Sequence, residues 1–133
     1  MTLVIDASAL LDDVAGTKHR LSGRVADHEF AAPALIDLEL LQTLRAHARG
    51  GRISVEDAED RLALLIDTPG LTRFEHSELA ERIWELRENF TAYDASYVAL
   101  AERLGVALVT TDLPLARAAR SHASCEVIAP DDA

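Results

Sequence analysis

The chain is 133 residues long and 49% of its residues are apolar, which is enough to bury one sizeable core and predicts a single domain over residues 1–133. Its 23 acidic and 13 basic residues give a formal net charge of −10, which argues against a protein that binds nucleic acid by general neutralisation of phosphates. The single cysteine, Cys125, excludes an intramolecular disulfide, and no apolar run approaches the roughly 18 residues of a membrane span, so we expect a cytoplasmic protein with no membrane partner.

Apolar periodicity in the first part of the chain predicts short strands alternating with helices. Strands are predicted at Leu3–Asp6 and, as a shorter element, at Phe30–Ala32. One helix is predicted at Lys18–His28. Another is predicted from Pro33 to about Arg49, because proline suits the first turn of a helix and the two glycines that follow would end it.

The second part of the chain continues the alternation. Ser54 with Asp57 three residues later resembles a capping box and predicts the start of a helix that ends before the turn at 68–70. Strands are then predicted at Leu71–Phe74 and Val106–Val109, helices at His76–Asn89, Ala92–Leu104 and Leu115–His122, and a last apolar segment at Cys125–Ile128. This order predicts an α/β fold with a parallel sheet and helices on both faces.

Four acidic residues stand where a solvated carboxylate is not expected. Asp6 and Asp112 each follow a predicted strand, and the carboxyl ends of parallel strands form the edge where ligands bind. Asp94 heads the apolar stripe of its helix, and Glu39 lies on a leucine-rich helix with little face left for a charge. An isolated buried charge costs several kcal/mol, so these carboxylates should be paired, protonated or bound to a cation. Together they predict a divalent metal site.

Each of the four acids also has a simpler structural interpretation. Asp6 and Asp112 could be N-caps of the helices that follow them. Asp94 could be favoured by the dipole of its own helix, and Glu39 could be solvated. The metal-site hypothesis is favoured because a single cation site could account for all four carboxylates together.

Four segments that carry these acids resemble the four motif regions of PIN-domain ribonucleases, and more narrowly of the VapC-type toxins of bacterial toxin–antitoxin pairs. The segments are Val4–Leu10, Pro33–Glu39, Tyr93–Ala101 and Leu108–Asp112. The resemblance implies a three-layer α/β/α fold with a central, mainly parallel sheet, and a magnesium- or manganese-dependent endoribonuclease. It also implies a homodimer and a cognate antitoxin that blocks the acidic site, with DNA contacted only through the antitoxin.

The resemblance implies roles for particular residues. The metal-site acids fall on Asp6, Glu39, Asp94 and Asp112, with Ser8 and Thr111 as hydroxyl helpers. A departure from the family pattern is Pro114, where many relatives carry a polar or basic residue, so phosphate contacts from this turn are not expected.

The donor types indicate hydrolysis by a metal-activated water. Magnesium prefers oxygen ligands, and a bound metal lowers the pKa of its water and offsets charge on the phosphoryl oxygens. Asp6 and Asp94 are expected to be the principal ligands, with Glu39 and Asp112 completing the set. A receiver-like signalling domain is excluded because it needs a lysine after a late strand, and the only lysine is Lys18. A catalytically silent PIN-like protein that acts through its antitoxin or DNA complex stays open.

Other residues are weaker candidates. Two basic groups could contact an RNA backbone, although a solvated helix face is the simpler interpretation: Lys18, His19, Arg20 and Arg24, and Arg45, His47, Arg49 and Arg52. Trp84 is expected in the core with Leu79, Ile83 and Leu86 rather than on a docking surface. Tyr97 is expected to pack, and Tyr93 could stack on a base.

Overall fold

The computed structural model describes residues 1–14 and 28–130. The strands in these ranges are β1 (Thr2–Ile5), β2 (Glu29–Pro33), β3 (Leu71–Phe74), β4 (Leu108–Val109) and β5 (Val127–Ile128). The helices are α1 (Ala7–Val14), α2 (Ile36–Arg49), α3 (Val55–Ile66), α4 (Ala80–Glu85), α5 (Ala92–Leu104) and α6 (Leu113–His122), with a 3-10 turn at Ser77–Leu79 before α4. The predicted helix at Lys18–His28 lies almost entirely outside the described residues.

The described strands form one parallel sheet in the order β3-β2-β1-β4-β5. From β1 the chain builds the sheet outward through β2 and β3, and it then returns to place β4 on the other side of β1. The strand order therefore reverses between β1 and β4, where Ile5 lies opposite Val109. With helices on both faces, this is the predicted three-layer α/β/α fold.

The hydrophobic core centres on β1, β4 and the helix α5, which lies against β1, β2 and β4. All residues of α5 from Ala95 to Ala101 are buried. The helix begins at the Thr91 N-cap, whose Oγ1 accepts a hydrogen bond from the Asp94 N–H, and ends at Gly105 in the left-handed region with φ +68°. The predicted bounds of this helix are confirmed. In the described part of the chain, no helix has both the length and the hydropathy needed to cross a bilayer.

The predicted helix start at Pro33 is wrong. Pro33 is the last residue of β2, opposite Phe74 of β3, a position that tolerates proline because the strand ends there. The next residue extends the pairing, since the Ala34 N–H donates to the Phe74 carbonyl oxygen at 2.8 Å. Helix α2 begins at Ile36, and the N–H of its N-cap Leu35 donates to His76 Nε2 at 3.2 Å.

Two other predicted elements are shorter than expected. The strand predicted at Val106–Val109 covers only Leu108–Val109, because the Val106 N–H is used to close the C-terminus of α5 on the Ala101 carbonyl oxygen at 3.1 Å. The helix predicted at His76–Asn89 is a 3-10 turn followed by the six-residue α4, which ends in tight i to i+3 hydrogen bonds after Glu85.

The expectation that Trp84 lies in the core is also wrong. Leu79 and Leu86 are buried as predicted, but Trp84 is 67% exposed. At about 100° per residue, Trp84 lies on the opposite side of the helix from Leu79 and Leu86, so burial of these two leucines leaves it facing outward.

Candidate active site

A cavity of about 340 Å³ lies where β1 and β4 end, at the reversal of strand order. All four acids predicted from the sequence line it: Asp6, Glu39, Asp94 and Asp112. Two come from the ends of neighbouring strands and two from helices, and their positions in the sequence differ by as many as 106 residues. We call this space the acidic cavity. It occupies the edge at which open α/β sheets bind ligands.

Asp6 is the most buried of the four acids, with 5% of its surface exposed. Its Oδ1 accepts hydrogen bonds from Ser8 Oγ at 2.7 Å and from the Ala9 N–H at 2.9 Å, and its Oδ2 accepts one from Thr110 Oγ1. Burial raises the pKa of Asp6 to about 6, although these hydrogen bonds favour the ionised form and the nearby charge of Asp112 opposes it. Asp6 therefore carries a charge that its protein neighbours compensate only in part.

Asp112 lies at the open side of the cavity. Its Oδ1 accepts a hydrogen bond from the Leu115 N–H at 3.1 Å, so it is the N-cap of α6, and its own N–H donates to Thr110 Oγ1 at 3.0 Å. The capping interpretation is thus correct for Asp112, and for Asp6 through its bond to Ala9. It does not remove either residue from the cavity, because both side chains also line it.

Asp94 is half-buried in the first turn of α5. Its pKa is raised first by burial and then by the negative charges of Asp112 and Glu39. Thr91, and not Asp94, provides the N-cap of this helix. The carboxylate of Asp94 is therefore not needed for capping.

Glu39 is held in place by a residue that sequence reasoning assigned only to packing. Tyr97 Oη donates a hydrogen bond to Glu39 Oε1 at 2.6 Å, and the tyrosine is 1% exposed. Burial and the hydrogen bond to Glu39 raise the pKa of the Tyr97 phenol, so it stays a donor. The sequence offers one signal for this role, since Tyr97 lies three residues after Asp94 on the same helix face.

Helix α2 is less buried than its leucine content predicted. Leu40 and Leu44 are in the core, but Leu38 and Leu41 are exposed, and Glu39 itself is half-buried. The Glu39 carboxylate can therefore reach both the cavity and solvent.

Two hydroxyl groups connect the strands around Asp6. Ser8 contacts Asp6 as the family resemblance implies, and Ser8 Oγ also accepts a hydrogen bond from the Thr111 N–H at 3.3 Å. The second hydroxyl in contact with Asp6 belongs to Thr110, which is fully buried, and not to Thr111, the position implied by the resemblance.

The far end of the acidic cavity is lined by Asp12, Thr43 and His47. Thr43 and His47 follow Glu39 at intervals of four residues, so all three share one face of α2. Of the basic group at 45–52, His47 is the member that lines this cavity, while the group at 18–24 lies outside the described residues. Tyr93, which could stack on a base, is 65% exposed at the start of α5.

The donor chemistry of the acidic cavity fits a divalent cation. Carboxylate oxygens are the ligands that Mg²⁺ prefers, and burial raises the pKa values of Asp6 and Asp94, which a bound cation would lower. Within residues 1–14 and 28–130, no group of three Asp, Glu, His or Cys side chains is arranged so that it could hold a metal ion. Mg²⁺ commonly keeps several waters and uses one or two carboxylates, so it does not require a closed protein shell.

Comparison with known proteins gives a family match and similar ribonucleases. The family profile of the PIN domain matches residues 3–121. Ribonuclease VapC9 of Mycobacterium tuberculosis (strain H37Rv) is 39% identical over 130 residues, which cover 95% of this chain and 98% of VapC9. Ribonuclease VapC1 of the same strain is 42% identical over 122 residues, which cover 86% of this chain and 89% of VapC1.

Solved structures share the fold. PAE2754 from Pyrobaculum aerophilum has a TM-score of 0.69 at 26% identity, with 96% of this chain and 83% of that chain covered. VapBC2 from Rickettsia felis, bound to a DNA fragment from its promoter, has a TM-score of 0.68 at 12% identity, covering 98% and 100% of the two chains. VapC20 of M. tuberculosis, a Sarcin-Ricin loop cleaving toxin, has a TM-score of 0.61 at 16% identity, covering 92% and 96%. At such low identity the last two similarities bear on the fold alone.

Proposed function

The chain belongs to the PIN-domain family and, within it, to the VapC-type toxins, and on this basis we propose that it is a metal-dependent endoribonuclease that hydrolyses RNA phosphodiester bonds with a metal-activated water. The observation that carries the proposal is the acidic cavity, in which four carboxylates from separate parts of the chain converge at the ligand-binding edge of the sheet. The similar proteins VapC9 and VapC1 bear the name ribonuclease, which supports RNA as the substrate class.

The four acids have different tasks in this proposal. Asp6 and Asp94 hold the cation, because burial raises the pKa of each carboxyl group and a bound cation would favour its ionised form. Glu39 and Asp112 complete the ligand set directly or through water. When bound, a divalent cation supplies a water of lowered pKa and offsets charge on the phosphoryl oxygens.

The surrounding residues orient these carboxylates. Ser8 and Thr110 fix the two oxygens of Asp6, and Tyr97 fixes Glu39. Such supporting hydrogen bonds keep ligands in position and typically matter for metal affinity. Because the cavity is strongly negative, RNA phosphate is repelled from it unless a cation is present.

We also propose a cognate antitoxin that covers the acidic cavity and a homodimeric toxin. The support is family membership and the charge of the chain, since a protein of net charge −10 suits a basic partner. The VapBC2 pair of R. felis was solved on a promoter DNA fragment. For this chain we propose that DNA is contacted only through the antitoxin, because its own acidic surplus disfavours phosphate binding.

A cleavage assay with matched variants tests the site. Purified protein is incubated with transfer, ribosomal and messenger RNA in the presence of Mg²⁺, Mn²⁺ or EDTA. We expect cleavage that needs metal, is abolished by Asp94→Asn and is unchanged by Asp60→Asn, which replaces an exposed carboxylate of α3. Undiminished cleavage by the Asp94→Asn protein refutes the proposed site.

A catalytically silent binding protein is the second candidate function. It is favoured if calorimetry detects a bound divalent cation while no class of RNA is cut. The presence of all four acids in one cavity supports the active enzyme.

A further inference from the structure

Trp84 and Arg87 form an exposed pair on α4 and the turn after it. Trp84 is the only tryptophan of the chain and is 67% exposed. The guanidinium carbon of Arg87 lies 4.6 Å from the centroid of the Trp84 ring, and Arg87 Nη1 donates a hydrogen bond to the Trp84 carbonyl oxygen at 3.0 Å. The pair presents an aromatic surface and a positive charge together, in a chain whose net charge is −10.

The ring of Trp84 borders a shallow, mainly apolar depression of about 500 Å³, which we call the Trp84 shelf. Ala80, Ile83 and Ala92 form part of its floor, and Arg87 stands at its side. The exposed ring and the apolar depression together offer a surface on which a planar group could stack.

A groove of about 570 Å³ shares lining residues with both the shelf and the acidic cavity and so lies next to each of them. We call it the connecting groove, and its lining includes Arg87, Asn89, Thr91, Asp94, Asp112 and Pro114. Asp94 and Asp112 line both the acidic cavity and the groove. Arg87 lines both the groove and the shelf. The three spaces therefore follow one another along the surface from the proposed cleavage site to Trp84.

We propose that a nucleotide flanking the scissile phosphate of the RNA substrate stacks at Trp84 and Arg87, and that the strand reaches them through the connecting groove. The proposal rests on the proposed function, because the groove begins at the cavity where cleavage would occur. It deepens that function by assigning a nucleotide subsite next to the cleavage site, formed by Trp84 and Arg87.

The chemistry of the shelf and the groove favours RNA as the occupant. Every base has a π-face, so an aromatic platform binds unpaired nucleotides of any sequence, and an arginine plane adds both stacking and phosphate attraction. A paired base keeps its faces covered by its neighbours and cannot use the platform. A segment of the proposed antitoxin could also cover Trp84, but the stacked pair of Trp84 and Arg87 suits a planar base, and the tests below separate the two occupants.

Arg87 is the single positive contact for phosphate among the lining residues described for the shelf and the groove. Glu75, Glu88, Asp94 and Asp112 contribute negative charge, and the last two also line the acidic cavity where the cation is proposed. Removal of Arg87 should therefore weaken RNA binding markedly, while removal of an arginine elsewhere should not.

The single tryptophan allows a direct test. RNA oligonucleotides are titrated into the cleavage-silent Asp6→Asn protein with Mg²⁺, and the fluorescence of Trp84 is followed. Asp6 lines neither the groove nor the shelf. We expect saturable quenching by single-stranded RNA and little quenching by a duplex of the same sequence. Absence of quenching by the single strand overturns the proposal.

Steady-state cleavage gives the second readout. Trp84→Ala and Arg87→Ala should each raise KM about tenfold with a small change in kcat, in the range that base–aromatic stacking contributes, and Trp84→Phe should restore part of the loss. The control is Arg61→Ala on α3, which lies outside both lining sets. Unchanged KM in the Trp84→Ala protein, with its fold verified by circular dichroism, contradicts a stacking role.

Other occupants give different results. If the shelf is covered by a second copy of the chain, Trp84 fluorescence changes with protein concentration in the absence of RNA, and Trp84→Ala converts a dimer to a monomer. If it is covered by an antitoxin, Trp84→Ala relieves inhibition without raising KM. Either result overturns the RNA proposal.

Failure of the two proposals can be told apart. Quenching of Trp84 by single-stranded RNA without cleavage by the unsubstituted protein supports the stacking site and refutes the endoribonuclease. Metal-dependent cleavage, with no quenching of Trp84 and an unchanged KM in the Trp84→Ala protein, supports the endoribonuclease and refutes the stacking site.

Discussion

Replacing Asp6 by asparagine should stabilise the metal-free protein above pH 6. Asp6 is 5% exposed, and burial raises its pKa from 3.8 to about 6. A carboxyl group with a raised pKa binds its proton more tightly in the folded protein, so ionisation opposes folding. The destabilisation is absent below the unfolded pKa of 3.8, grows as the pH rises to about 6, and is constant above that. At 1.36 kcal/mol per pH unit, the interval from 3.8 to about 6 corresponds to about 3 kcal/mol.

Asparagine should recover most of this free energy. Its carbonyl oxygen can still accept hydrogen bonds from Ser8 and the Ala9 N–H, while its amide has to replace an acceptor that faces Thr110. Rearrangement of that one contact costs about 1 kcal/mol, which leaves a net gain in the free energy of unfolding of about 2 kcal/mol at pH 7.5.

The assay is urea unfolding in EDTA between pH 5 and pH 8, followed by circular dichroism. The unsubstituted protein should lose stability as the pH rises from 5 to 7, and the Asp6→Asn protein should lose much less. The loss of stability with rising pH that remains in the Asp6→Asn protein comes from Asp94, whose pKa is also raised. Asp60→Asn, at an exposed position on α3, should behave like the unsubstituted protein. An Asp6→Asn protein that is less stable than the parent at pH 7.5 would show that Asp6 acts in the fold as a favourable cap and not as an uncompensated charge.

Three further predictions concern the same site and its supporting helix. Tyr97→Phe keeps the buried ring but removes the hydrogen-bond donor to Glu39. It should lower the free energy of unfolding by about 1 kcal/mol and weaken Mn²⁺ binding about tenfold, whereas Tyr93→Phe at an exposed position should do neither. A divalent cation at 100 times its Kd should stabilise the unsubstituted protein by about 2.7 kcal/mol in thermal unfolding, and the same addition should leave Asp94→Asn nearly unaffected; equal stabilisation of both would place the cation elsewhere. Gly105→Ala should cost about 1 kcal/mol in urea unfolding, because φ is +68° and an added Cβ would meet no atom within 4 Å, so only backbone strain changes.

Three of the four predicted acids that converge in the cavity are marked by a local signal in the sequence. Asp6 and Asp112 follow apolar strands, and Asp94 heads a helix with predicted and observed bounds of Ala92–Leu104. A parallel sheet then brings strand ends together without further information, since all its strands point the same way.

What the sequence did not predict depends on contacts between distant residues or on breaks within an element. The hydrogen bond from Tyr97 to Glu39 joins residues 58 positions apart. The spacing of Asp94 and Tyr97 places the tyrosine near the site, but it does not identify Glu39 as the partner. Trp84 is predicted in the core from its apolar neighbours in sequence, but at about 100° per residue it faces away from the buried Leu79 and Leu86. Pro33 was assigned to a helix because proline favours a first helical turn, but the pairing of β2 with β3 prevailed over this local preference.

Helix capping and metal binding are not competing explanations for the acids of this cavity. In a parallel α/β sheet each helix that follows a strand begins at the carboxyl edge, so its positive N-terminal end faces the ligand site. Asp6 precedes α1, Asp94 lies in the first turn of α5, and Asp112 caps α6. Each helix terminus stabilises a nearby carboxylate by about 0.3–1 kcal/mol, which makes an acidic cluster tolerable in the metal-free protein. The pKa values of Asp6 and Asp94 are nevertheless raised, so the helix termini do not compensate the charge fully. A divalent cation would neutralise the remaining negative charge. The fold that places the caps at this edge therefore also places the carboxylates that we propose bind the cation.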